Sequence, residues 1–176
     1  NSPHGACAEC SGLGVKMELD PAKIVPNPAL SLNRGAIAPW PAEGGFWYRE
    51  MLSGLAREMG FSMDTPFGKL PEEARSTILF GTNGRKIAYD VRREKSRYQF
   101  EHAFEGVVPN LLRRYRETKS ESSRQEIESF MSTAPCPACH GRRLKPEALS
   151  VRVGSHTIAS FTDLSVDRAL EALDTL

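Results

Sequence analysis

The sequence predicts an α+β fold of mixed helices and short antiparallel hairpins. Apolar residues from Phe46 to Met59 recur at every fourth position, the spacing of one helical face. Strand-like stretches at Lys86–Val91 and Tyr98–Phe104 flank a charged bend, Arg92–Arg97. Turn formers punctuate the rest, with 14 Gly and 12 Pro in 176 residues, so no element is long. Hydrophobic residues make up 40% and charged residues 26%, which supports a packed core and excludes wholesale disorder.

Residues 1–14 are Gly-rich and cysteine-bearing and suit a loop. Residues 20–45 hold five prolines and the turn signals Asn27-Pro28 and Gly44-Gly45, which predicts extended, irregular chain. The helix from Phe46 carries Trp47, Met51, Leu55 and Met59 along one side and ends at Gly60, a natural C-cap. Pro71 suits the first turn of a shorter helix that stops before Gly81. Asn83-Gly84 reads as a hairpin turn between Leu79-Phe80 and Lys86–Val91. Two helices follow, over 108–118 with Pro109 in the first turn and over 122–131 with Ser122 and Gln125 at capping-box spacing. Ala148–Val153 and His156–Ile158 flank Gly154-Ser155 as a hairpin, and Ser165 caps a terminal helix through Leu173.

All four cysteines fall in two matching motifs, Cys7-Ala-Glu-Cys10-Ser-Gly12 and Cys136-Pro-Ala-Cys139-His-Gly141. Two intervening residues let both sulfurs of a pair reach one tetrahedral centre, and the trailing glycine permits a turn whose N–H groups face the sulfurs. The reading favoured is a single structural zinc held by Cys7, Cys10, Cys136 and Cys139. Closing the long interval between the pairs costs about 4–5 kcal/mol, and structural zinc binding supplies about 10–16 kcal/mol, so the metal outweighs the loop. Disulfides, a redox dithiol, and zinc shared with cysteines outside the chain are the alternatives. His4 and His140 stand beside the pairs, but four thiolates already fill the shell.

Net charge is only +1, yet residues 85–119 hold ten Lys/Arg against five Asp/Glu. That asymmetry places a basic face on an otherwise near-neutral body. Arg85, Lys86, Arg92, Arg93, Lys95 and Arg97 cluster around the expected strands, with Tyr89 and Tyr98 interleaved, and are the candidates for contacts to DNA phosphates. Arg113, Arg114 and Arg116, and Arg142, Arg143 and Lys145, form secondary basic sets. Trp40, Trp47 and Tyr48 are assigned to the core rather than to base stacking. Gly81-Thr-Asn-Gly84-Arg-Lys86 lacks the spacing and the Ser/Thr of a phosphate-binding loop, and no nucleophilic triad or paired carboxylates are identifiable. The chain alone is therefore expected not to be an enzyme. The missing start methionine suggests a piece of a longer protein, and the lack of a secretory signal or a long apolar run suggests a cytoplasmic one, with no membrane partner.

Pro3-His4-Gly5-Ala6-Cys7-Ala8-Glu9-Cys10-Ser11-Gly12-Leu13-Gly14 closely resembles the zinc-knuckle segment of the UvrA family, the damage-recognition ATPases of bacterial nucleotide excision repair. Phe104–Leu111 running into Arg113–Thr118, and Pro135–Cys139 with Gly141, Arg143-Leu144 and Glu147-Ala148, resemble it in the same order. The resemblance implies a first knuckle over 1–14, an insertion domain over 15–134, a second knuckle over 135–147 and the start of an ABC signature domain over 148–176. It implies contact with damaged double-stranded DNA, and ATP binding only in the full-length protein, which would be a homodimer that also binds the next excinuclease subunit through a region outside this chain. The Cys-x-x-Cys-x-Gly-x-Gly pattern is also similar to the repeats of DnaJ-type chaperones, although Arg143 replaces the last glycine of the second motif. A zinc-stabilised protein-interaction module, or a structural spacer without DNA contact, is the alternative function.

Overall fold

The computed structural model describes residues 4–40, 45–93 and 96–174, without the side chains of 92, 93 and 96. It divides into two compact units, residues 19–131 and the flanking segments 1–18 with 132–176.

The larger unit begins with α1 (Pro21–Ile24), capped by the Asp20 carboxylate, and continues through irregular chain with single 3-10 turns at Leu32–Arg34 and Phe67–Lys69. The five prolines account for this: none can donate to a ladder or a helix interior. Helix α2 (Phe46–Met59) has the expected bounds and ends on Gly60 in the left-handed conformation, φ 70°. Its buried residues are Leu52, Gly54, Leu55 and Ala56, with Tyr48, Met51 and Met59 packed beside them. Helix α3 (Glu72–Phe80) follows Pro71, which takes the N-cap position rather than the first turn.

Leu79 and Phe80 thus belong to a helix, and Asn83-Gly84 joins α3 to a strand instead of closing a hairpin. The turn itself was read correctly. Both central residues have positive φ, 51° and 85°, and the Arg85 N–H donates to the Thr82 carbonyl at 3.0 Å. The hairpin is formed by β2 (Lys86–Arg93) and β3 (Ser96–Ala103), antiparallel, with Lys86 opposite Ala103 and Arg93 opposite Ser96. Ile87, Tyr89 and Val91 are buried while Lys86 and Ala88 are exposed, the alternation of a two-stranded ribbon covered on one side.

Helices α4 (Val107–Glu117) and α5 (Glu121–Glu128) complete the unit. The cap of α5 is Ser120, whose hydroxyl accepts from the Ser123 N–H, and not the expected Ser122. A single apolar core runs from Ile24 through Leu55, Ile78, Tyr89, Val107 and Leu111 to Ile127 and Met131. The ends of the unit meet: the Asp20 N–H donates to the Phe130 carbonyl at 2.9 Å, and the Lys23 ammonium donates to the Met131 carbonyl.

The smaller unit contains β1 (Val15–Leu19) paired with β4 (Met131–Pro135), two strands whose terminal residues Leu19 and Met131 are assigned to the larger unit. Then come α6 (Pro146–Leu149), the short hairpin β5 (Arg152–Val153) with β6 (His156–Thr157), α7 (Ile158–Thr162) and α8 (Val166–Asp174). The hairpin around Gly154-Ser155 is shorter than expected because Ala148 and Leu149 are helical and Ile158 opens α7. Mixed helices and two-stranded sheets agree with the α+β expectation. Among the described residues no helix is long and apolar enough to cross a membrane.

Candidate metal centre and nucleic-acid interface

Within the smaller unit the two cysteine motifs fold as near copies. Ser11 and His140, each directly after a second cysteine, adopt φ 49° and 51°, and Gly12 and Gly141 adopt 81° and 83°. The Leu13 N–H donates to the Cys10 carbonyl and the Arg142 N–H to the Cys139 carbonyl, both at 2.9 Å. Gly14 and Arg143 then turn left-handed again, at 81° and 67°, which aims their N–H groups at Cys10 Sγ (3.2 Å) and Cys139 Sγ (3.3 Å). The copies also brace each other, since the Cys7 N–H donates to the Arg143 carbonyl and the Cys136 N–H to the Gly14 carbonyl, both at 2.9 Å.

The departure at Arg143 therefore leaves the knuckle geometry intact. Arginine takes up the conformation that glycine has at position 14, at a cost of about 1–2 kcal/mol for a residue with a Cβ. The reverse exchange has no room. A Cβ on Gly14 would lie 2.8 Å from Arg143 Cγ and 2.9 Å from the Gly141 carbonyl oxygen.

The four sulfurs converge. All are buried, all are free thiols, and all lie within 4.8 Å of one another. Cys10 Sγ and Cys139 Sγ are 3.7 Å apart, far beyond a disulfide bond and close to the roughly 3.8 Å edge of a tetrahedron with metal–sulfur bonds of about 2.3 Å. Burial works to raise the Cys10 thiol, but the Gly14 N–H and the surrounding sulfurs outweigh it and bring the pKa down to about 7. Burial pushes the Cys139 thiol up. The donor set, four buried sulfurs each pair of which receives backbone N–H bonds, fits a soft tetrahedral metal ion. Neither His4 nor His140 belongs to the cluster found among the described residues.

The basic candidates are distributed unevenly. Arg85 lies in the turn before β2 and Lys86 opens that strand; both are exposed and make no ion pair among the described residues. Arg97, on β3, is held by the Asp90 carboxylate through two hydrogen bonds of 2.8 and 2.7 Å, so its charge is locally balanced. Arg92 and Arg93 lie in β2 with backbone partners Arg97 and Ser96, and Lys95 lies outside the described residues. Tyr98 is exposed, whereas Tyr89 is buried beneath the ribbon, where desolvation pushes its hydroxyl pKa up to about 12. Arg113 is engaged by Glu105 at 2.8 Å and Glu117 at 3.0 Å.

The aromatic residues divide in a way the sequence did not indicate. Trp40 is buried and Tyr48 packs on the core, as expected, with their rings stacked at 4.5 Å. Trp47 is not core. It is 55% exposed and stacks on Phe100 at 5.9 Å. Trp40, Trp47, Tyr48, Phe100, Phe104 and Asn110 are among the residues lining a cavity of about 390 Å³ in the larger unit. Asn110 was overlooked, although it stands one turn after Val107 and beside Leu111 on the buried face of α4, the one polar side chain buried there.

Comparison with known proteins places this geometry. Residues 20–129 match the family model described as the UvrA DNA-binding domain. The chain is 46% identical over 169 residues to UvrABC system protein A of Brucella abortus, covering 96% of this chain and 17% of that protein. It is 47% identical over 178 residues to UvrABC system protein A of Methanothermobacter thermautotrophicus, covering 100% and 18%. The crystal structure of UvrA2 from Deinococcus radiodurans aligns with 99% of this chain and 22% of its own, with a TM-score of 0.66 and 28% identity. The chain thus spans less than a fifth of the length of these curated relatives.

Proposed function

We infer, because this chain belongs to the UvrA family and carries its DNA-binding domain, that it is a zinc-stabilised insertion domain contacting DNA near a lesion in a nucleotide excision repair ATPase. Residues 1–14 and 135–147 are the two zinc knuckles, 15–134 the insertion domain and 148–176 the start of the signature domain. Cys7, Cys10, Cys136 and Cys139 would hold the zinc, whose role is structural: a closed four-thiolate shell leaves no open position for substrate. ATP hydrolysis, dimerisation and binding of the next excinuclease subunit, in the cytoplasm, belong to the whole protein.

The observation that carries DNA contact is the location of exposed Arg85 and Lys86, which make no ion pair among the described residues, at the start of the β2–β3 hairpin in the stretch that matches the DNA-binding model. Arg92, Arg93, Lys95 and Arg97 follow in the same stretch of sequence, and such a run of cations suits contact with a phosphate backbone. Phosphate contacts carry no base sequence. Chemically different lesions share an altered ease of bending, so a reader of backbone shape meets the requirement.

A salt-dependent DNA titration tests the reading. Each phosphate contact contributes about 0.9 to the slope of log affinity against log salt, so an Arg85→Glu/Lys86→Glu variant should bind more weakly and show a slope shallower by about 2. Charge reversal at Arg92, Arg93, Lys95 and Arg97 should weaken binding in the same direction, with Arg97 contributing least because Asp90 already holds it. Unchanged affinity in both variants would favour an interaction module or spacer.

A further inference from the structure

The two knuckles share a backbone path but not a charge. Leu13 and Gly14 of the first are matched, position for position, by Arg142 and Arg143 of the second. Gly14 takes its left-handed φ of 81° without strain, whereas Arg143 holds 67° with a Cβ in place. Side chains kept in that region cluster at functional sites, ligand clamps among them. Packing accounts for only part of this one. The Arg143 stem lies over Gly14, with Cγ 2.8 Å and Nε 3.3 Å from where a Cβ on that glycine would stand. Beyond the stem, the guanidinium makes no ion pair and no side-chain hydrogen bond among the described residues.

Arg142 is likewise without an ion pair there, and both arginines are exposed. They border a cavity of about 580 Å³ inside the smaller unit, whose lining also includes Ile158, Ala159 and Thr162 of α7. Asp163 is the one carboxylate in that lining, and it pairs with neither arginine. Two guanidinium charges against one carboxylate leave the cavity net positive with His140 neutral. The backbone beneath the arginines is pinned. The Arg142 N–H donates to the Cys139 carbonyl at 2.9 Å and the Arg143 N–H to Cys139 Sγ at 3.3 Å. The Arg143 carbonyl accepts from the Cys7 N–H at 2.9 Å, and the Lys145 N–H donates to the Gly5 carbonyl at 3.0 Å. Cations on a fixed backbone lose less freedom on binding, and the guanidinium fork matches the oxygens of a phosphate.

We propose that Arg142 and Arg143 form a phosphate clamp on the second knuckle, which takes a backbone phosphate of DNA at this cavity. The choice of DNA as the source of the phosphate rests on the DNA-contact reading above. The first knuckle, with Leu13 and Gly14 at the matching positions, has no such clamp. A contact of this kind carries no base sequence, so it adds affinity on any duplex.

The test titrates the zinc-loaded chain with a labelled duplex over a range of salt. Arg143→Gly gives the second knuckle the residue that the first already has, so it should keep its zinc and its far-UV circular dichroism. Arg142→Gln/Arg143→Gly should bind roughly tenfold more weakly, with a slope of log affinity against log salt shallower by about 2, equally on duplexes of different sequence. Should the glycine exchange cost the zinc, Arg142→Gln alone decides, with a slope shallower by about 1. Asp163→Asn, which removes the opposing charge, should bind more tightly than the native chain. A parallel titration with ATP separates the two sources of phosphate. Loss of ATP binding in the arginine variant with unchanged DNA affinity would overturn the assignment to DNA. An unchanged salt slope there, beside a shallower one in Arg85→Glu/Lys86→Glu, would overturn the clamp and leave the hairpin contact standing. A native chain that binds no duplex would overturn both.

Discussion

Gly54 and Tyr89 set the tolerance of the larger unit. Glycine inside a helix usually costs about 1 kcal/mol relative to alanine, so Gly54→Ala would be expected to stabilise α2. Here the sign reverses. A Cβ at position 54 would lie 2.3 Å from Cδ1 of Tyr89, a ring that is 1% exposed and stacked on Phe100 at 5.2 Å. The Tyr89 ring is buried between the ribbon and α2, so relieving the clash disturbs that packing. Gly54→Ala should therefore lower stability by about 1–3 kcal/mol, the usual penalty of overpacking, as a downward shift of the urea midpoint. Sequence alone shows a glycine in a helix, but not the ring that requires it.

The residue-level misreading of Trp47 has a geometric cause. A helix advances about 100° per residue, so a strict four-residue spacing drifts by about 40° at each step. Counted back from the fully buried Leu55, Trp47 has rotated about 80° off the core face. Tyr48, Leu52, Leu55 and Met59 follow steps of four, three and four, with Met51 and Ala56 beside them, and stay on it.

Among the elements, those with strong local signals were legible. Helix α2 had periodicity and a glycine stop, and the β2–β3 ribbon had alternating apolar positions around a charged bend. Strand β1 did carry an alternating signal in Val-Lys-Met-Glu-Leu that went unread, but Met-Ser-Thr-Ala-Pro of β4 ends in proline and lacks one, and the two strands pair across more than a hundred residues. The 3-10 turns at Leu32–Arg34 and Phe67–Lys69 had no local signal either, and their segments are held to each other, with the Asn33 N–H donating to the Met63 carbonyl and the Phe67 N–H to the Leu30 carbonyl. The start of α4 is anchored by Glu105, whose carboxylate is held below its usual range chiefly by the Arg113 hydrogen bond. A depressed folded pKa contributes stability that is present above the unfolded value near 4.5 and lost as pH falls through the folded value. The stability advantage of the native chain over Glu105→Gln, measured by denaturant midpoints, should be present at pH 7 and shrink steadily below pH 4.5. The pair is partly exposed and screened, so the advantage is small.

In the molecule as a whole, the candidate metal centre was the most legible feature, because the chemistry needs only residue type and spacing. The sequence left open whether the pairs share one ion, and the structure brings the sulfurs together from motifs 129 residues apart. The cavity beside α2 was not legible, since its lining comes from Trp40, α2, β3 and α4, four separated segments. The larger unit closes its own ends through Asp20 and Phe130, so part of the loop entropy is met before any metal binds. A metal ion held by the four thiolates, as proposed above, would add a tie between the chain leading into that unit and the chain returning from it.

Elemental analysis of the purified chain, alone and as Cys136→Ser, tests that tie most directly. One zinc per native chain is expected, with no disulfide on thiol titration, and the Cys136→Ser chain should lose the metal. Two zincs per chain, none with all four thiols accessible, or full zinc occupancy in Cys136→Ser would contradict a single shared centre.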